Sequence, residues 1–498
     1  MSLSTKFPRT FWVANVMELF ERAAYYGMNS VLAIYLTDQV ADGGLGFTEG
    51  SVGFLQAIVY AATYVIPILG GALADRYGYR RMLMVAFTLL SIGYFVSGQM
   101  TVFPAVFGAL LFMAVGAGLF KPIISGTIAR TTTAETSSFG FGVYYWMINL
   151  GAFIAPILVT WYKGLGWKWV FIASACYVAA MLPLAFFVYR DPMTPQGGKS
   201  LAEVARAALT VLGDARFMLM IVAYSGFWVL YFQNFGTVLW YLRDFVDTAP
   251  VDRFVNSVNF GLFDFRLDAE YVTVINAGTI ILLQFLISRL VKDRPALATM
   301  ITGMGIGTLG FLALAASTNA WVFVLGIAVF SIGEMTAHPK YYSYVGMVAP
   351  QDKKAVYMGY AFLYGVFGSL IGSNLGGFLY ERMLKPVVGS SEGPGRTHFF
   401  WLIFAALNLV AMLGLWLFSR AFGEDTPATR AGARRAMGIV YGLILVLGAA
   451  AAGYGAGLSG GGSIQPKTVL QGAIFVLLGG FGLWVNARGG HHLDAPAS

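Results

Sequence analysis

Residues 11–36, FWVANVMELFERAAYYGMNSVLAIYL, decide how this chain folds. The stretch is long and apolar enough to cross a lipid bilayer as a helix, yet it contains Glu18, Glu21 and Arg22. Each charge at bilayer depth costs roughly 2.5–3.5 kcal/mol, so such side chains normally pair or face a water-filled cavity. The segment therefore predicts a membrane-spanning helix that handles protons, ions or substrate.

The charged side chains share one face of this predicted helix. Positions 18, 21, 22, 25 and 29 follow helical spacing, which places the three charges beside Tyr25 and Asn29. A polar face of this kind suits the wall of a transport cavity. The alternative is that Glu18, Glu21 and Arg22 form a neutral brace between two helices and have no role in transport.

The composition of the whole chain is typical of a membrane protein. Of 498 residues, 58% are hydrophobic and only 11% are charged, and the mean hydropathy is +0.69. Soluble proteins are about 25% charged. Cys176 is the single cysteine, which excludes disulfide bonds and thiolate metal sites. The net charge of +8 does not indicate nucleic-acid binding, and we expect no metal and no cofactor.

Hydropathy predicts fourteen membrane-spanning helices, an even number that puts both termini on one side. The spans lie at residues 11–37, 51–74, 82–100, 103–129, 140–162, 168–189, 217–242, 270–290, 296–317, 320–349, 355–381, 398–420, 436–455 and 467–487. We expect the first to be retained, because it is too long for a signal peptide and lacks a small-residue cleavage site. Of 32 Lys and Arg residues, twenty fall in one set of loops, nine in the opposite set and three within spans. The positive-inside rule then places both termini in the cytoplasm.

The predicted spans divide the chain into four parts. Residues 1–189 hold six spans, and residues 190–215 form a cytoplasmic linker with an amphipathic helix predicted at 201–212. Residues 216–422 hold six more spans, and residues 423–498 hold a basic linker, two extra spans and a short tail. Two groups of six around a linker are typical of transporters built from repeats.

The loop between the second and third spans carries the motif GGALADRYGYRR at residues 70–81. Its glycines permit a tight turn, and its charged residues can latch a gate; the expected gate residues are Asp75, Arg76 and Arg80. The alternative is ordinary positive charge at the inner membrane face. The motif resembles the cytoplasmic loop signature of the major facilitator superfamily. The resemblance implies an all-α polytopic membrane protein of two six-helix bundles, here with two additional C-terminal transmembrane helices.

Four further segments resemble the proton-dependent oligopeptide transporter (POT/PTR) family. ELFERAAYYG at 18–27 is similar to the family motif E-x-x-E-R-x-x-x-Y-Y-G, and GLFKPIIS at 118–125 is similar to G-x-x-K-P-x-x-S. FGVYYWMINLGA at 141–152 is similar to F-Y-x-x-I-N-x-G, and GEMTAHP at 333–339 is similar to G-E-x-x-x-x-P. Each motif alone is weak, but together and in order they identify the chain as resembling that family.

The resemblance implies a central cavity that opens alternately to each side of the membrane. For a zwitterionic peptide it implies Glu334 as partner of the ammonium group, and Lys121 and Arg22 as partners of the carboxylate. Burial and nearby cations tune carboxylates for proton coupling; the residues expected to do this are Glu18, Glu21, Arg22 and Lys121. The expected substrate-binding residues are Arg22, Tyr25, Tyr26, Tyr64, Lys121, Asn149, Trp228, Asn276, Glu334 and His338. Helix packing is an equal alternative for the tyrosines and Trp228. A snorkelling side chain is the less favoured alternative for Lys121, because this residue lies in the middle of its span.

The chain departs from the family pattern at the outer gate. Asn29 stands where many members carry an Arg, and Phe232 stands near the place of an acid in the seventh span. The resemblance implies that those two charges form a salt bridge, and losing both costs less than stranding one, which would cost roughly 3–5 kcal/mol. We therefore expect the outer gate to close through other contacts. His338 and Lys340 stand where the family is usually small or apolar, and Lys340 can serve the cavity or snorkel.

Proton-coupled import of di- or tripeptides is the function that the resemblance implies. The alternatives are a transporter of the same fold for another small organic anion or amino-acid conjugate with altered proton coupling, and a receptor that has lost transport. An enzyme is disfavoured, because the sequence has no H-E-x-x-H motif and no paired intramembrane aspartates. The expected partners are a small peptide or peptide-like substrate, protons and the lipid bilayer of the inner or plasma membrane, with no nucleic acid. The protein is expected to function as a monomer.

Overall fold

The computed structural model describes residues 7–133, 135–192, 201–259, 263–350, 354–457 and 465–488. In these ranges thirteen helices are long and apolar enough to cross a membrane. A further helix of 21 residues, the first in the chain, is less apolar because it holds four charged residues. The fourteen helices are α1 (Arg9–Asn29), α2 (Glu49–Tyr77), α3 (Tyr79–Ser97), α4 (Phe103–Arg130), α5 (Ser137–Gly164), α6 (Trp167–Val188), α7 (Ala215–Tyr231), α8 (Glu270–Val291), α9 (Ala296–Ala316), α10 (Ala320–Val348), α11 (Leu363–Leu379), α12 (Gly393–Phe422), α13 (Pro427–Gly455) and α14 (Pro466–Arg488).

The helices form two bundles of six and one additional pair. Helices α1–α6 pack together, with α1 against α4, α5 and α6, and helices α7–α12 form the second bundle. The bundles meet where α2 packs on α11 and where α5 packs on α8. Helices α13 and α14 pack on each other, and α13 also packs on α7 and α12. The predicted layout of six, six and two helices is confirmed.

Close approach of α2 and α11 depends on two glycines. A Cβ atom on Gly53 would lie 2.4 Å from the carbonyl oxygen of Ser373, and one on Gly377 would lie 2.4 Å from that of Glu49. No side chain fits at either position without moving a backbone. These glycines bring the two bundles into direct backbone contact at one end of the molecule.

Three of the predicted spans contain an interruption of the helix in the structure. In the span predicted at 11–37, the first helix ends at Asn29, Val31 leaves helical geometry with φ of −128° and ψ of −3°, and a short helix, Leu32–Thr37, follows. The span predicted at 217–242 consists of two α-helices, Ala215–Tyr231 and Thr237–Phe245. The span predicted at 355–381 consists of Lys354–Tyr360 and Leu363–Leu379. Hydropathy could not detect these breaks, because each lies within a stretch that is apolar on average.

The linker between the bundles contains the helix that its amphipathic pattern predicted, Leu201–Leu212. Residues 193–200 of that linker and the tail after residue 488 lie outside the described ranges. A second short helix, Ala249–Val258, lies in the connection before α8 and packs on α10.

Candidate functional site

Three charged side chains of α1 form one buried cluster. Glu18 and Glu21 are 2% and 0% exposed, and Arg22 is 7% exposed. The Arg22 Nε atom lies 3.3 Å from Glu18 Oε1 and 2.5 Å from Glu21 Oε2, so one guanidinium group serves both carboxylates. Oxygen Oε1 of Glu21 is buried and has no hydrogen-bond partner among the described residues. Glu18 Oε2 is likewise buried without a partner in the same ranges. The cluster is therefore net negative when both carboxylates are ionised, and one oxygen of each carboxylate is available to a proton.

Lys121 supplies the compensating positive charge from α4. Its Nζ atom lies 4.8 Å from the ring centroid of Tyr64 on α2, which is a cation–π contact. The charged groups near enough to act on it are Arg22, Glu21 and Glu18. Within the described ranges it makes no salt bridge closer than 4.0 Å. The charges of Glu18, Glu21, Arg22 and Lys121 thus sum to zero. The ammonium group of Lys121 remains available to an anion.

Glu334 on α10 is the acidic group of the second bundle. It is 8% exposed, and Asn276 of α8 donates a hydrogen bond from Nδ2 to Glu334 Oε2 at 3.1 Å. The same amide donates to the Ser331 hydroxyl at 2.8 Å. In the part of the chain that the structure describes, no Lys or Arg pairs with Glu334. Its negative charge is therefore stabilised by a neutral donor and is not cancelled by a cation.

Aromatic side chains surround His338 on α10. The ring centroid of Trp228 lies 4.9 Å from that of His338. The hydroxyls of Tyr224 and Tyr364 lie 3.4 Å and 3.5 Å from the two ring nitrogens. Tyr364 also meets Tyr64 of the first bundle, with ring centroids 5.9 Å apart. Tyr364 thus connects His338 to Tyr64, the ring that Lys121 contacts.

The remaining predicted site residues lie on the first bundle. The Arg22 guanidinium carbon lies 5.2 Å from the Tyr25 ring centroid, and Tyr26 is within electrostatic range of both Arg22 and Glu334. The Asn149 amide donates to a backbone carbonyl one turn earlier in α5 at 2.9 Å. The structure therefore brings the predicted residues of α1, α2, α4, α7, α8 and α10 into one central region. Asn149 on α5 differs from these residues, because its side-chain amide forms a hydrogen bond within its own helix.

We call the end of the molecule that holds the C-terminus of α1 the closed end, because both bundles are bonded together there. The Tyr60 hydroxyl donates to Asn29 Oδ1 at 2.7 Å, and Gln56 Nε2 donates to the Tyr60 oxygen at 3.1 Å. Gln56 Nε2 also lies 2.6 Å from the Phe235 carbonyl oxygen of the second bundle. Phe232 stacks on Tyr60, with ring centroids 5.2 Å apart. Neutral contacts thus occupy the positions where the resemblance implied a salt bridge.

Ion pairs join the bundles beyond this neutral layer. Lys163 at the end of α5 lies 2.5 Å from Asp268 Oδ2 and 3.0 Å from Glu270 Oε2 beside α8. Lys385 lies 2.7 Å from Glu49 Oε2 at the start of α2. Glu49 and Glu270 are 1% and 0% exposed, so each depends on its lysine for charge compensation.

A third ion pair between the bundles is half-buried on both sides. Arg243 Nη1 lies 2.8 Å from Asp38 Oδ1, and Gly50 donates its backbone N–H to Glu381 at 2.8 Å. Burial raises the pKa of the Asp38 carboxyl above its usual value, although Arg243 acts in the opposite direction. The closed end therefore combines buried and half-buried charge pairs that all cross from one bundle to the other.

The predicted gate residues lie at the opposite end and bond within the first bundle. Arg130 Nη2 lies 3.2 Å from Asp75 Oδ1. The Arg80 backbone N–H donates to Asp191 at 2.6 Å, and the Arg76 guanidinium lies 5.4 Å from a neighbouring tyrosine ring. Gly78 makes the turn between α2 and α3 with φ of 92°, a conformation that favours glycine. None of these three gate side chains reaches the second bundle among the described residues.

Lys340 contacts a loop and not the central region. Its Nζ atom donates to the carbonyl oxygens of Lys292 and Arg294 at 2.9 Å and 2.8 Å. These carbonyls follow the last turn of α8, where helix geometry leaves acceptors unpaired. Of the two alternatives for Lys340, the structure favours snorkelling, because the long stem of the side chain carries the ammonium group to the helix end.

Several residues of this region were not found from the sequence. Tyr60, Gln56 and Tyr364 form contacts between the bundles, but polar or aromatic residues in an apolar span give no signal of their own. Glu270 did offer a signal, since it is an acid at the first position of a predicted span. Its partner Lys163 comes from a helix 107 positions away in sequence.

Three comparisons with known proteins agree on the fold. The sequence profile of the Major Facilitator Superfamily matches residues 15–373. The chain is 23% identical over 431 residues to the dipeptide and tripeptide permease A of Proteus mirabilis, covering 74% of this chain and 86% of that protein. It is 32% identical over 161 residues to the peptide transporter YePEPT of Yersinia enterocolitica, covering 31% of each.

Similarity to solved structures covers more of the chain. A crystal structure of a POT family transporter in complex with 5-aminolevulinic acid superposes with a TM-score of 0.66 at 20% identity, covering 83% of this chain and 97% of that one. At about 30% identity, by contrast, the chain spans about a third to a half of the relatives that it matches. The expected helical fold of two six-helix bundles is therefore confirmed over most of the chain.

Proposed function

This chain belongs to the major facilitator superfamily, and we propose that it is a proton-coupled symporter that imports di- and tripeptides by alternating access. The observation that carries the proposal is the placement of opposite charges, with Arg22 and Lys121 in one bundle and Glu334 in the other. A zwitterionic peptide needs a cation and an anion across a gap, and low dielectric strengthens both contacts. The names of the relatives, which are peptide transporters and permeases, support a peptide as substrate.

Lys121 is the first partner of the substrate carboxylate. Its ammonium group makes no salt bridge in the described chain and faces the Tyr64 ring, so an anion does not have to displace a carboxylate from it. Glu334 receives the substrate ammonium group, because Asn276 orients its carboxylate without neutralising the charge. Substrate binding therefore adds one charge pair to each wall of the cavity.

Proton coupling follows from the shared guanidinium of Arg22. While Glu18 and Glu21 are both ionised, they hold Arg22 between them. A proton on one carboxylate frees part of the Arg22 fork, which can then join Lys121 in binding the substrate carboxylate. Proton and substrate thus favour each other through common partners, which is a thermodynamic coupling between two sites.

The closed end faces the outside of the cell in this proposal. The excess of basic residues lies in the loops of the opposite end, together with the N-terminus, and the positive-inside rule assigns that side to the cytoplasm. Opening to the outside breaks the pairs of Lys163, Lys385 and Arg243. The two bundles then come together at the cytoplasmic end, where Asp75 and Arg80 are gate residues. One chain contains both bundles and acts as a monomer.

Uptake into proteoliposomes tests this function. A mixed dipeptide library is offered with and without an inward proton gradient, and accumulated peptides are identified by mass spectrometry. We expect accumulation of dipeptides that depends on the gradient. Absence of uptake in protein whose folding is verified by its circular dichroism would contradict the proposal.

A second candidate function is transport of another small organic anion or amino-acid conjugate. The observation that favours it is the aromatic contact of His338 with Trp228. His338 stands at a position where the POT/PTR family usually has a small or apolar residue. The related structure with bound 5-aminolevulinic acid gives a first compound to test. Uptake of this compound without any uptake of dipeptides would select the second candidate.

A further inference from the structure

A cavity of about 190 Å³ lies outside the central region, where the second bundle meets the additional helices. The start of α7, the end of α10, the end of α12 and the start of α13 enclose it. Its polar lining residues are Asp214, Arg216, Tyr344, Tyr357, Asp425, Arg430 and Arg434. Three arginines against two aspartates leave one net positive charge in the lining.

Most of the charged groups in this lining have internal partners. Arg216 donates to the carbonyl oxygens of Phe422 and Gly423 at 2.7 Å and 2.8 Å, which caps the end of α12. Asp425 accepts two hydrogen bonds from Arg430, at 2.7 Å and 3.0 Å. The hydrogen bonds from Arg430 lower the pKa of the Asp425 carboxyl, so this aspartate is ionised at neutral pH and its charge is already balanced.

Asp214 is also occupied. Its Oδ1 atom accepts from the backbone N–H of Phe217 at 3.1 Å and thereby caps α7. Its Oδ2 atom accepts from the Tyr357 hydroxyl at 2.7 Å. Among the described residues, neither Asp214 nor Asp425 forms an ion pair with Arg434, the remaining arginine of the cavity.

Two polar groups of the lining are left without a partner. Arg434 lies one helical turn after Arg430 on α13, and its guanidinium makes no ion pair among the described residues. The hydroxyl of Tyr344 is buried and has no hydrogen-bond partner in the same ranges, and its residue is only 7% exposed. A buried hydroxyl without a partner costs about 1–3 kcal/mol, so a ligand that reaches it gains that contact.

We propose that this cavity binds a phosphate group, supplied by the headgroup of an anionic phospholipid. The Arg434 fork pairs with two phosphate oxygens, and the Tyr344 hydroxyl donates to a third. The cavity lies at the ends of four membrane-spanning helices, and such helix ends stand at the depth of lipid headgroups. Basic pockets between spans at the cytoplasmic face are typical binding sites for anionic lipids.

The bound phosphate would connect the additional helices to the transport core. Arg434 belongs to α13 and Tyr344 to α10, so one ligand bonds to both. This site is independent of the proposed transport function, because none of its residues belongs to the central region.

Lipid titration of the purified full-length protein tests the site. In neutral detergent, dioctanoyl phosphatidylglycerol, dioctanoyl phosphatidylcholine and inorganic phosphate are added separately, and bound molecules are counted by native mass spectrometry. We expect phosphatidylglycerol to bind at least tenfold more tightly than phosphatidylcholine. Arg434→Ala should weaken its binding about tenfold, as expected for the loss of a charge-assisted contact.

The neighbouring Arg435 provides the matched control, since it is exposed, carries the same charge and does not line the cavity. Arg435→Ala should bind phosphatidylglycerol as the wild type does, and Tyr344→Phe, which keeps the ring, should bind a few-fold more weakly. Equal binding by the wild type, Arg434→Ala and Tyr344→Phe would overturn the proposal, as would no binding to the wild type. Binding of inorganic phosphate as tightly as phosphatidylglycerol, lost in Arg434→Ala, would support the phosphate site and assign it to a soluble anion.

Discussion

The central region and the closed end use their charges in opposite ways. In the central region, Glu18, Glu21 and Arg22 pair within a single helix. At the closed end, Lys163 of the first bundle pairs with Glu270 of the second, and two further ion pairs also cross between the bundles. Both sets contain fully buried carboxylates, Glu21 in the first and Glu270 in the second, so burial of the acid does not distinguish them.

The difference indicates what each set does when the bundles move. Pairs within one bundle survive a rigid-body rocking motion, and they can be changed only by a proton or a ligand. Pairs across the bundles must break whenever the closed end opens. The central charges therefore suit coupling and recognition, whereas the crossing pairs set the relative stability of the two states.

The largest expected effect belongs to Lys121, the central cation without a salt bridge. Lys121→Ala should abolish accumulation driven by a proton gradient, because the substrate carboxylate loses its first partner and the carboxylates of α1 lose a compensating charge. Uptake in proteoliposomes with an inward gradient measures this. Lys340→Ala removes a lysine that contacts only loop carbonyls, and it should retain accumulation. Accumulation at the wild-type level by Lys121→Ala would contradict the proposed proton coupling.

The next largest effect should come from Lys163 at the closed end. Lys163→Ala strands Glu270, which is 0% exposed, at a cost to the closed state on the order of 3–5 kcal/mol. The population should shift toward an open outer end. Electron spin distance measurements between labels at Leu165 and Val388, both exposed, report this shift after Cys176→Ser removes the native thiol.

Arg266 offers a control for the Lys163 experiment, because it is 83% exposed and its one ion pair within the described ranges is with exposed Asp264 at 3.7 Å. Arg266→Ala should leave the distance distribution unchanged. An unchanged distribution in Lys163→Ala as well would mean that crossing ion pairs do not hold this end closed.

A smaller and more selective effect is expected from Glu334. Glu334→Gln keeps the hydrogen-bonding shape beside Asn276 but removes the charge that receives an ammonium group. Affinity for zwitterionic dipeptides should fall about 10- to 100-fold, the range for a hydrogen bond to a charged group. Counterflow competition with the same peptides acetylated at the amino group provides the comparison. An equal loss of affinity for the zwitterionic and the acetylated peptides would show that Glu334 does not bind the ammonium group.

The smallest expected effect concerns Asp38, whose crossing ion pair with Arg243 is partly open to solvent on both sides. Since burial raises its pKa in the closed state, the closed state binds a proton there more readily than an open state in which Asp38 is hydrated. The proton contributes stability below the ordinary pKa of 3.8, and this contribution is lost as pH rises through the raised value. Asp38→Asn should flatten this dependence and change closure by about 0–1 kcal/mol. The same spin-label distances, recorded between pH 4 and pH 7, measure it; an unchanged pH profile would contradict it.

The sequence by itself determined the helical architecture and most of the central residues. Long apolar runs can only be helices in a membrane, because every backbone N–H and C=O must be bonded within the segment. Charges within such runs are so costly that Glu18, Arg22, Lys121 and Glu334 stand out without any coordinates. Helical spacing then places the charges of α1 on one face, as the structure has them.

Only the tertiary structure decided which residues hold the two bundles together. Tyr60, Gln56 and Phe232 look like ordinary residues of apolar spans, and their contacts arise from helices far apart in sequence. The breaks after Asn29 and Tyr231 were likewise invisible to hydropathy. Contacts between distant helices depend on packing geometry, which local pattern does not encode. Local energetic cost therefore reveals a buried charge, but only the assembled bundles reveal its partner.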